Sequence, residues 1–333
     1  MKEFDIRPQD LFNRYLELSR QDIDRFFADK SQFVEVSCPA CDSQHCDFGL
    51  EKFGFKYMTC LDCGSLYLSP RPTSTIIDAY YRESEAVKFL GTHFFKETAE
   101  ARRKKIFKPR AQTVSKWMAK SKMSNRGSTF VDIGSGYGIF LEEIAKLGLF
   151  EKICGIEPAL NLASICRNKG FEVIEKKAEK VKEGEIQASF ATAFEVLEHL
   201  FDPAQFLHAV GRILKNNGLF LFTTLVVSGF DIHVLWENSK SIYPPHHINL
   251  LSFEGIKQLV ERCGFKIMEL NTPGKLDVDI LINMLKENPE IKVPRFVSYL
   301  INKRGEVTHR AFQFFLQEHN LSSHVRGIVK KGI

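Results

Sequence analysis

Long hydrophobic runs are missing from this chain of 333 residues. Its longest mostly apolar stretch, residues 219–227, is far shorter than the roughly 20 residues of a membrane-spanning helix, so we interpret it as a buried strand. Residues 1–5 lack the apolar segment of a secretory signal. We therefore expect a cytoplasmic protein without a membrane span.

Internal repeats and low-complexity tracts are also absent from the sequence, and hydrophobic side chains make up 44% of it. This composition indicates a buried core and excludes a largely disordered chain. The length is sufficient for two domains, or for one domain with large additions. In the cytoplasm the eight cysteines should be reduced or bound to metal, and not paired as disulfides.

Four of these cysteines form two CxxC pairs that are separated by 18 residues. Each pair can turn two thiolates toward one ion, and four protein ligands leave no open position, so a structural Zn²⁺ ribbon is predicted over residues 36–72. The CxxxCxxC triplet of radical iron–sulfur enzymes does not occur. His45 and Cys46, inside the spacer, are alternative ligands. The predicted ligands are Cys38, Cys41, Cys60 and Cys63.

A glycine-rich turn follows the first strand of the second half of the chain. The predicted strand ends near Asp132 and passes through Gly134, Gly136 and Gly138 into an apolar helix that begins at Ile139. Missing β-carbons let a nucleotide-type ligand approach the backbone at such a turn. The dinucleotide pattern GxGxxG would need glycine at 139, where this chain has isoleucine.

An acidic residue supports the nucleoside interpretation of this turn over an ordinary tight turn. Glu157 follows the next predicted strand, about 20 residues after the glycines, where a carboxylate can bind both ribose hydroxyls. Residues 131–138 with Glu157 resemble motif I of class I S-adenosylmethionine (SAM) methyltransferases. Relatives often carry an Asp beside the adenine after the third strand, where this chain has Lys176-Lys177-Ala178. The resemblance implies that SAM contacts Asp132, Gly134, Ser135, Gly136, Gly138 and Glu157.

Strand and helix patterns alternate from residue 129 onward, which predicts a mostly parallel sheet with right-handed crossovers. The predicted strands are 129–133, 152–156, 171–175, 188–193, 218–226 and 265–270. The resemblance implies an antiparallel seventh strand beside the sixth, and residues 325–330 are the best match. Residues 273–324 would then be a helical insertion over the acceptor pocket.

The expected fold class is therefore α/β, with a Rossmann-like class I methyltransferase sheet, an N-terminal zinc ribbon and a helical insertion before the last strand. An amphipathic pattern over residues 10–27 predicts a helix in the first segment. The predicted segments are an N-terminal helical arm at 1–35, the ribbon at 36–72, a helical linker at 73–124 and the methyltransferase domain at 125–333.

Two glutamates and a histidine follow the fourth predicted strand. If residues 195–199 form one helical turn, Glu195, Glu198 and His199 share a face and can hold a divalent cation or supply a base. The motif resembles that of ubiquinone-type O-methyltransferases and small-RNA 2′-O-methyltransferases, in which these groups and a later His bind metal. His247 matches the later His. The resemblance implies that these four residues are catalytic, with Mg²⁺ or Mn²⁺ as the candidate ion, while helix capping and ordinary hydrogen bonding are the alternative.

The chain as a whole resembles bacterial class I methyltransferases that carry a four-cysteine ribbon and often act on sugars of surface polysaccharides or secondary metabolites. This resemblance implies methyl transfer to a hydroxyl or carbon of a sugar, a nucleotide-sugar or a similar small polar acceptor. Residues 96–126 contain eleven Lys or Arg and two Glu, a net +9, which fits a solvated helical face or a patch for a phosphate-bearing substrate. RNA 2′-O-methylation and a non-catalytic SAM-binding scaffold are the alternatives. Only Phe107 and Trp117 supply aromatic rings in that stretch, which disfavours nucleic acid.

Overall fold

Two β-sheets with surrounding helices make up the computed structural model, which describes residues 2–332. The strands are β1 (Cys46–Lys52), β2 (Phe55–Cys60), β3 (Leu66–Leu68), β4 (Thr129–Ile133), β5 (Lys152–Ile156), β6 (Glu172–Ile174), β7 (Ala188–Phe194), β8 (Leu214–Leu225), β9 (Asn249–Leu250), β10 (Phe265–Asn271) and β11 (His324–Lys331). The helices are α1 (Gln9–Phe27), α2 (Ser74–Glu83), α3 (Glu85–Phe89), α4 (Phe95–Glu97), α5 (Ala99–Arg102), α6 (Lys108–Lys120), α7 (Ile139–Ala145), α8 (Leu160–Asn168), α9 (Pro203–Ile213), α10 (Phe230–Leu235), α11 (Phe253–Arg262), α12 (Asp277–Glu287), α13 (Arg295–Lys303) and α14 (Glu306–Glu318). None of the helices within residues 2–332 is both long and apolar enough to cross a membrane.

The larger sheet has seven strands in the order β10-β11-β8-β7-β4-β5-β6. The five strands from β8 to β6 are parallel, and β11 runs antiparallel between β8 and β10. Central strands such as β8 are apolar on both faces because helices cover both sides, and Phe220, Leu221 and Phe222 are fully buried. The predicted fold class is confirmed, including the position of the antiparallel last strand.

Local capping residues fix the start of two helices beside this sheet. The Asp202 carboxylate accepts a hydrogen bond from the Gln205 amide at 3.0 Å, directly before Pro203 opens α9. The Ser252 hydroxyl accepts one from the Gly255 amide at 2.8 Å at the start of α11. These caps orient the helices that return the chain to the strands carrying the site.

Between β10 and β11 the chain forms three helices, α12, α13 and α14. The sequence predicts a helical insertion over residues 273–324, and α13 is the central helix of the three. This nine-residue helix buries Val297, Leu300 and Ile301, spaced three and four residues apart, and Val297 and Ile301 join α12 and α10 in a separate apolar cluster. The Glu3 amide donates to Asp279 of α12 at 2.7 Å, so the insertion contacts the N-terminal segment.

The smaller sheet joins the cysteine-rich segment to the rest of the chain. β1, β2 and β3 form an antiparallel sheet, and β9 from the segment after β8 adds a fourth strand on β3. The Leu68 amide also donates to the Ile248 carbonyl at 2.9 Å. The ribbon predicted as a separate unit therefore shares a sheet with the loop that carries His247.

A buried arginine strengthens this junction. The Arg71 side chain, 1% exposed, donates to the Leu68 carbonyl at 3.0 Å, the Phe201 carbonyl at 2.8 Å and the Asn249 side-chain oxygen at 3.1 Å. Asn249 in turn donates to the Leu197 and Leu200 carbonyls at 3.2 and 2.7 Å. Burial lowers the pKa of Arg71 to about 10, so it remains charged at neutral pH.

We expect Arg71→Ala to lower the free energy of unfolding by about 3 kcal/mol or more, because it leaves buried carbonyl and amide oxygens without a charged donor. Urea unfolding followed by circular dichroism measures this change. Arg82→Ala, which removes an exposed arginine paired with its neighbour Glu83, is the matched control and should change stability by no more than about 0.5 kcal/mol. Equal stability of the two variants would contradict the role assigned to Arg71.

Candidate functional site

The glycine turn lies at the carboxyl end of β4, in the middle of the larger sheet. Gly134, Gly136 and Gly138 all have left-handed backbones, with φ of 77°, 52° and 68°. A β-carbon on Gly138 would also lie 3.0 Å from the Cys166 sulfur, so both conformation and space require glycine there. The turn ends at Gly138, the residue before α7. The amides of Gly134 and Gly138 donate to the Ile156 and Ser135 carbonyls at 2.8 and 2.9 Å, which holds the shape of the turn.

Glu157 follows β5 at the same edge of the sheet and contacts the glycine turn. Its carboxylate, only 6% exposed, accepts hydrogen bonds from the Gly136 amide at 2.9 Å and the Ala159 amide at 3.0 Å. Burial raises the pKa of Glu157, and the two amide bonds oppose that shift. The structure thus holds an acidic group beside the turn, where the resemblance implies a ribose.

Asp132 and Ser135 complete the predicted cofactor set. The Asp132 carboxylate accepts from the Thr192 hydroxyl at 2.6 Å, and the Ser135 hydroxyl donates to the Asp132 carbonyl at 2.9 Å. Burial, and then the nearby Glu157 charge, raise the pKa of Asp132 to about 7. All six residues predicted to contact SAM lie together at the carboxyl ends of β4 and β5.

The condition that residues 195–199 form one helical turn after β7 is not met. Glu195 has a left-handed backbone with φ of 55°, and a short 3-10 turn follows at Leu197–His199. Glu195 therefore points away from that turn, where its carboxylate accepts from Thr223, Arg110 and His324 at 2.6, 2.7 and 3.0 Å. Although burial acts to raise it, His324 and Arg110 hold the pKa of Glu195 well below its usual value.

Glu198 is a second buried carboxyl group next to this network. It is 1% exposed and accepts from the Thr224 hydroxyl at 2.6 Å. Burial, and then the negative charge of Glu195, raise the pKa of Glu198 to about 8. The two carboxyl groups therefore differ in protonation at neutral pH, one ionised and the other largely neutral.

Three histidines meet on the other side of the 3-10 turn. One ring nitrogen from each of His199, His246 and His247 lies within 4.8 Å of the other two, and in the part of the chain that the structure describes neither Glu195 nor Glu198 belongs to this group. The four-residue metal set Glu195, Glu198, His199 and His247 is therefore not assembled. The left-handed Glu195 turns its carboxylate to Arg110 and His324, and His246 takes a place in the cluster that the sequence interpretation gave to a carboxylate.

Backbone carbonyls fix the tautomers of two of these rings. His199 donates its Nδ1 proton to the His246 carbonyl at 2.6 Å, and His247 donates its own to the Ser241 carbonyl at 2.7 Å. The Nε2 atom of each ring then carries a free lone pair. Burial lowers the pKa of each imidazole, that of His247 to about 3, so the rings are neutral near pH 7.

The walls around the histidine cluster come from the N-terminal part of the chain. The Tyr15 ring of α1 is edge-on to His246 with centroids 5.9 Å apart, and the Tyr81 ring, from α2, is edge-on to His199 at 6.3 Å. From β2, the Tyr57 hydroxyl donates to the His247 carbonyl at 2.6 Å. The insertion predicted over residues 273–324 contacts this edge of the larger sheet at its last residue, where the His324 ring bonds the Glu195 carboxylate.

The basic stretch at 96–126 is partly used inside the protein. Arg103 pairs with Glu142 and Glu143 at 2.6 and 2.7 Å. Arg110 pairs with Glu195 and lies over the Phe194 ring, 4.3 Å from its centroid. Sequence reasoning missed Arg110 as a site residue, because its partners follow a strand that lies more than 80 positions further along the chain.

The four CxxC thiols meet at one point of the smaller sheet. Sulfur distances are 3.5 Å for Cys38–Cys63 and 3.5 Å for Cys41–Cys60, and all four sulfurs lie within 4.8 Å of one another. A tetrahedral ion with Zn–S bonds of about 2.3 Å needs sulfurs about 3.8 Å apart, so the arrangement fits one ion, whereas a disulfide needs about 2.05 Å. Neither alternative ligand, His45 or Cys46, belongs to the group within residues 2–332.

Comparisons with known proteins agree with the observed fold of the larger sheet and its helices. A family model described as a methyltransferase domain matches residues 99–270, just over half of the chain. Ubiquinone biosynthesis O-methyltransferases from Hydrogenovibrio crunogenus and a Ruegeria species are 30% identical over 109 residues and 29% identical over 160 residues. These matches cover 31% and 42% of this chain and 44% and 64% of the relatives, so the chain spans less than two thirds of either relative's length.

Among solved structures, the plantazolicin methyltransferase BpumL, in complex with a pentazolic desmethylPZN analog and SAH, is similar in fold. The TM-score is 0.50 at 13% identity, over 78% of this chain and 95% of that one. The likeness concerns the fold alone. Since the family model covers more than half of the sequence and the seven-stranded sheet closes with an antiparallel last strand, the chain belongs to the class I SAM-dependent methyltransferases.

Proposed function

We propose that this methyltransferase transfers the methyl group of SAM to a hydroxyl or carbon of a sugar, a nucleotide-sugar or a similar small polar acceptor. The observation that carries the proposal is the contact between the glycine turn and the loop that leads to the histidines. A β-carbon on Gly134 would lie 3.3 Å from a Val196 methyl group, so the two loops touch. A methyl donor bound at the glycine turn would therefore lie next to the loop that leads to the histidines, which can accept a proton from the acceptor.

SAM is proposed to bind at the six residues described at β4 and β5, with Glu157 on the ribose. The sulfonium already activates the methyl group, so the protein mainly has to align an in-line displacement and remove a proton. While no cation is bound there, the free Nε2 lone pairs of His199 and His247 are suited to accept that proton. Glu195, held by Arg110 and His324, is proposed to position the loop, and Glu198 to support the turn beneath His199.

The enclosure of the histidine cluster supports a small acceptor. Tyr15 and Tyr81 pack against the cluster, and a nucleic-acid strand would need an open groove in their place. Several cations of the basic stretch are paired internally, including Arg103 and Arg110, which leaves a weaker surface field for RNA. An acceptor from polysaccharide or secondary-metabolite biosynthesis fits this enclosure.

A structural Zn²⁺ is proposed at the four cysteines. Its effect on the site would be indirect, because the ribbon contributes β3, which pairs with β9, and Tyr57, which holds the His247 carbonyl. The loop that carries the histidines would thus depend on the ordered ribbon.

We expect Glu157→Ala to weaken SAM binding by roughly 1 to 3 kcal/mol, because the ribose hydroxyls lose a charged acceptor. Isothermal calorimetry of the purified protein with SAM measures the change. Glu172→Ala, an exposed glutamate of β6 that pairs with Lys152, is the control and should bind SAM normally. Unchanged SAM affinity in Glu157→Ala would refute the cofactor assignment.

Metal analysis of the purified protein should find one tightly bound zinc per chain, and Cys60→Ser should lose it together with ribbon folding. Cys46→Ser is the matched control, since this cysteine lies in β1 but outside the group of four sulfurs, and it should retain the zinc. Elemental analysis and circular dichroism measure both properties. Zinc that persists in Cys60→Ser and disappears in Cys46→Ser would exclude the proposed ligand set.

His199→Ala and His247→Ala should bind SAM normally and transfer methyl at least about 100-fold more slowly, the usual scale for loss of a general base. Radiolabelled SAM with separate nucleotide-sugar, RNA and protein fractions measures transfer and identifies the acceptor pool. His309→Ala is the control, because that ring also bonds a backbone carbonyl, of Leu300 at 2.9 Å, far from the cluster in sequence. Near-normal transfer in both histidine variants would remove the chemical assignment, and labelling of the RNA fraction would replace the acceptor class.

A further inference from the structure

We propose that His199, His246 and His247 form a three-imidazole metal centre that binds a borderline divalent cation such as Zn²⁺, Co²⁺ or Fe²⁺ in preference to Mg²⁺. The site differs from the carboxylate-rich set that the sequence motif implies. The role of the cation at the acceptor rests on the proposed function, whereas the existence of the site does not.

The positions of the rings fit three ligands on one ion. Ring centroids are 4.3 Å apart for His199 and His246, and 5.1 Å for each pair that includes His247. One ring nitrogen of each lies within 4.8 Å of the others. Metal–nitrogen bonds of about 2.0–2.1 Å place tetrahedral ligands about 3.3 Å apart, so the spacing of the ring nitrogens exceeds that of a tetrahedral set by no more than about 1.5 Å.

The surroundings of the rings match those of metal-ligating histidines. Such histidines almost always donate their other ring N–H to a carbonyl or carboxylate, which orients the ring and fixes the ligating nitrogen. His199 and His247 both do so, toward the His246 and Ser241 carbonyls. The buried Nδ1 atom of His246 has no hydrogen-bond partner among the described residues, which leaves that nitrogen available to a cation.

The composition of the cluster determines which cations it selects. Arg110, His324 and Thr223 all bond the Oε1 atom of Glu195, and Thr224 bonds Glu198. Within residues 2–332 no carboxylate belongs to the histidine group. Imidazole nitrogen favours Zn²⁺, Fe²⁺, Co²⁺ and Ni²⁺, whereas Mg²⁺ requires oxygen ligands. Three protein ligands leave at least one position open, as in catalytic sites.

An open position gives the cation a direct use in methyl transfer. A hydroxyl oxygen of the acceptor can occupy it, and the bound cation then lowers the pKa of that hydroxyl. Because the three rings are then ligands, the hydroxyl proton would pass to solvent water. The acceptor oxygen would form its bond to the methyl carbon as the bond from that carbon to the SAM sulfur breaks, which releases S-adenosylhomocysteine.

Cobalt binding tests the site without any assay of activity. Protein with a zinc-filled ribbon is titrated with Co²⁺ and followed by visible absorption, where thiolate ligands give charge-transfer bands and imidazole ligands give only d–d bands. We expect one further equivalent of Co²⁺ with d–d bands alone, and no displacement by a 100-fold excess of Mg²⁺. His246→Ala and the larger His246→Gln should each weaken Co²⁺ binding at least about tenfold.

Two control variants separate this site from other cation sites. His309→Ala removes a histidine that bonds a carbonyl outside the cluster, and Glu172→Gln neutralises an exposed carboxylate that pairs with Lys152. Both variants should bind Co²⁺ as the unaltered protein does. Unchanged Co²⁺ affinity in a folded His246→Gln variant, bands from thiolates only, or displacement by Mg²⁺ would each overturn the proposal. SAM calorimetry on the same samples distinguishes failure of the proposed function from failure of the metal site. Absence of SAM binding would refute the proposed function and would not affect the conclusion from Co²⁺ binding.

Discussion

The buried guanidinium of Arg71 connects three segments on which the geometry of the whole site depends. Along the chain it lies 130 residues from Phe201 and 178 residues from Asn249, and it bonds both. Asn249 then bonds the carbonyls of Leu197 and Leu200, the first residue of the 3-10 turn that carries His199 and the residue after that turn. Burial of a charged donor costs free energy unless its N–H groups find acceptors, so these hydrogen bonds favour one relative position of the ribbon and the larger sheet. The position of the histidine cluster depends on that arrangement.

The strands of the larger sheet were predictable because their burial on both faces leaves continuous apolar runs such as 218–226. The proximity of the proposed cofactor residues was predictable for a different reason, since the glycines of the turn and the acidic residue that follows the next strand are local features of the sequence. The two-residue β9 carries no pattern of its own and is a strand only because β3 lies beside it. The left-handed backbone of Glu195 could likewise not be predicted, because Arg110 and His324, which bond its carboxylate, are distant in the chain.

Charge counts along the chain were the least informative guide to the site. The stretch at 96–126 has a net charge of +9, yet Arg103 and Arg110 use their charges on Glu142, Glu143 and Glu195 within the fold. The two glutamates after β7 appear equivalent in sequence, but an ion pair keeps Glu195 ionised while burial raises the pKa of Glu198 to about 8. The role of a charged residue, whether exposed to solvent, paired in the core or part of the site, depends on partners that come close only when the chain folds.

The pairing of β3 with β9 also sets an order of events during synthesis. Ribbon residues leave the ribosome first, and β3 keeps an open edge until residues 249–250 follow. At about 5–20 residues per second this interval lasts roughly 10 to 40 s, and an unpaired strand edge is a template for wrong pairing during that time. The edge strand β3 is only three residues long, Leu66–Leu68, which limits what a foreign strand can bind. The shortness of β3 therefore protects the nascent chain from wrong pairing before β9 is made. In the folded protein the same strand is part of the junction between the ribbon and the larger sheet.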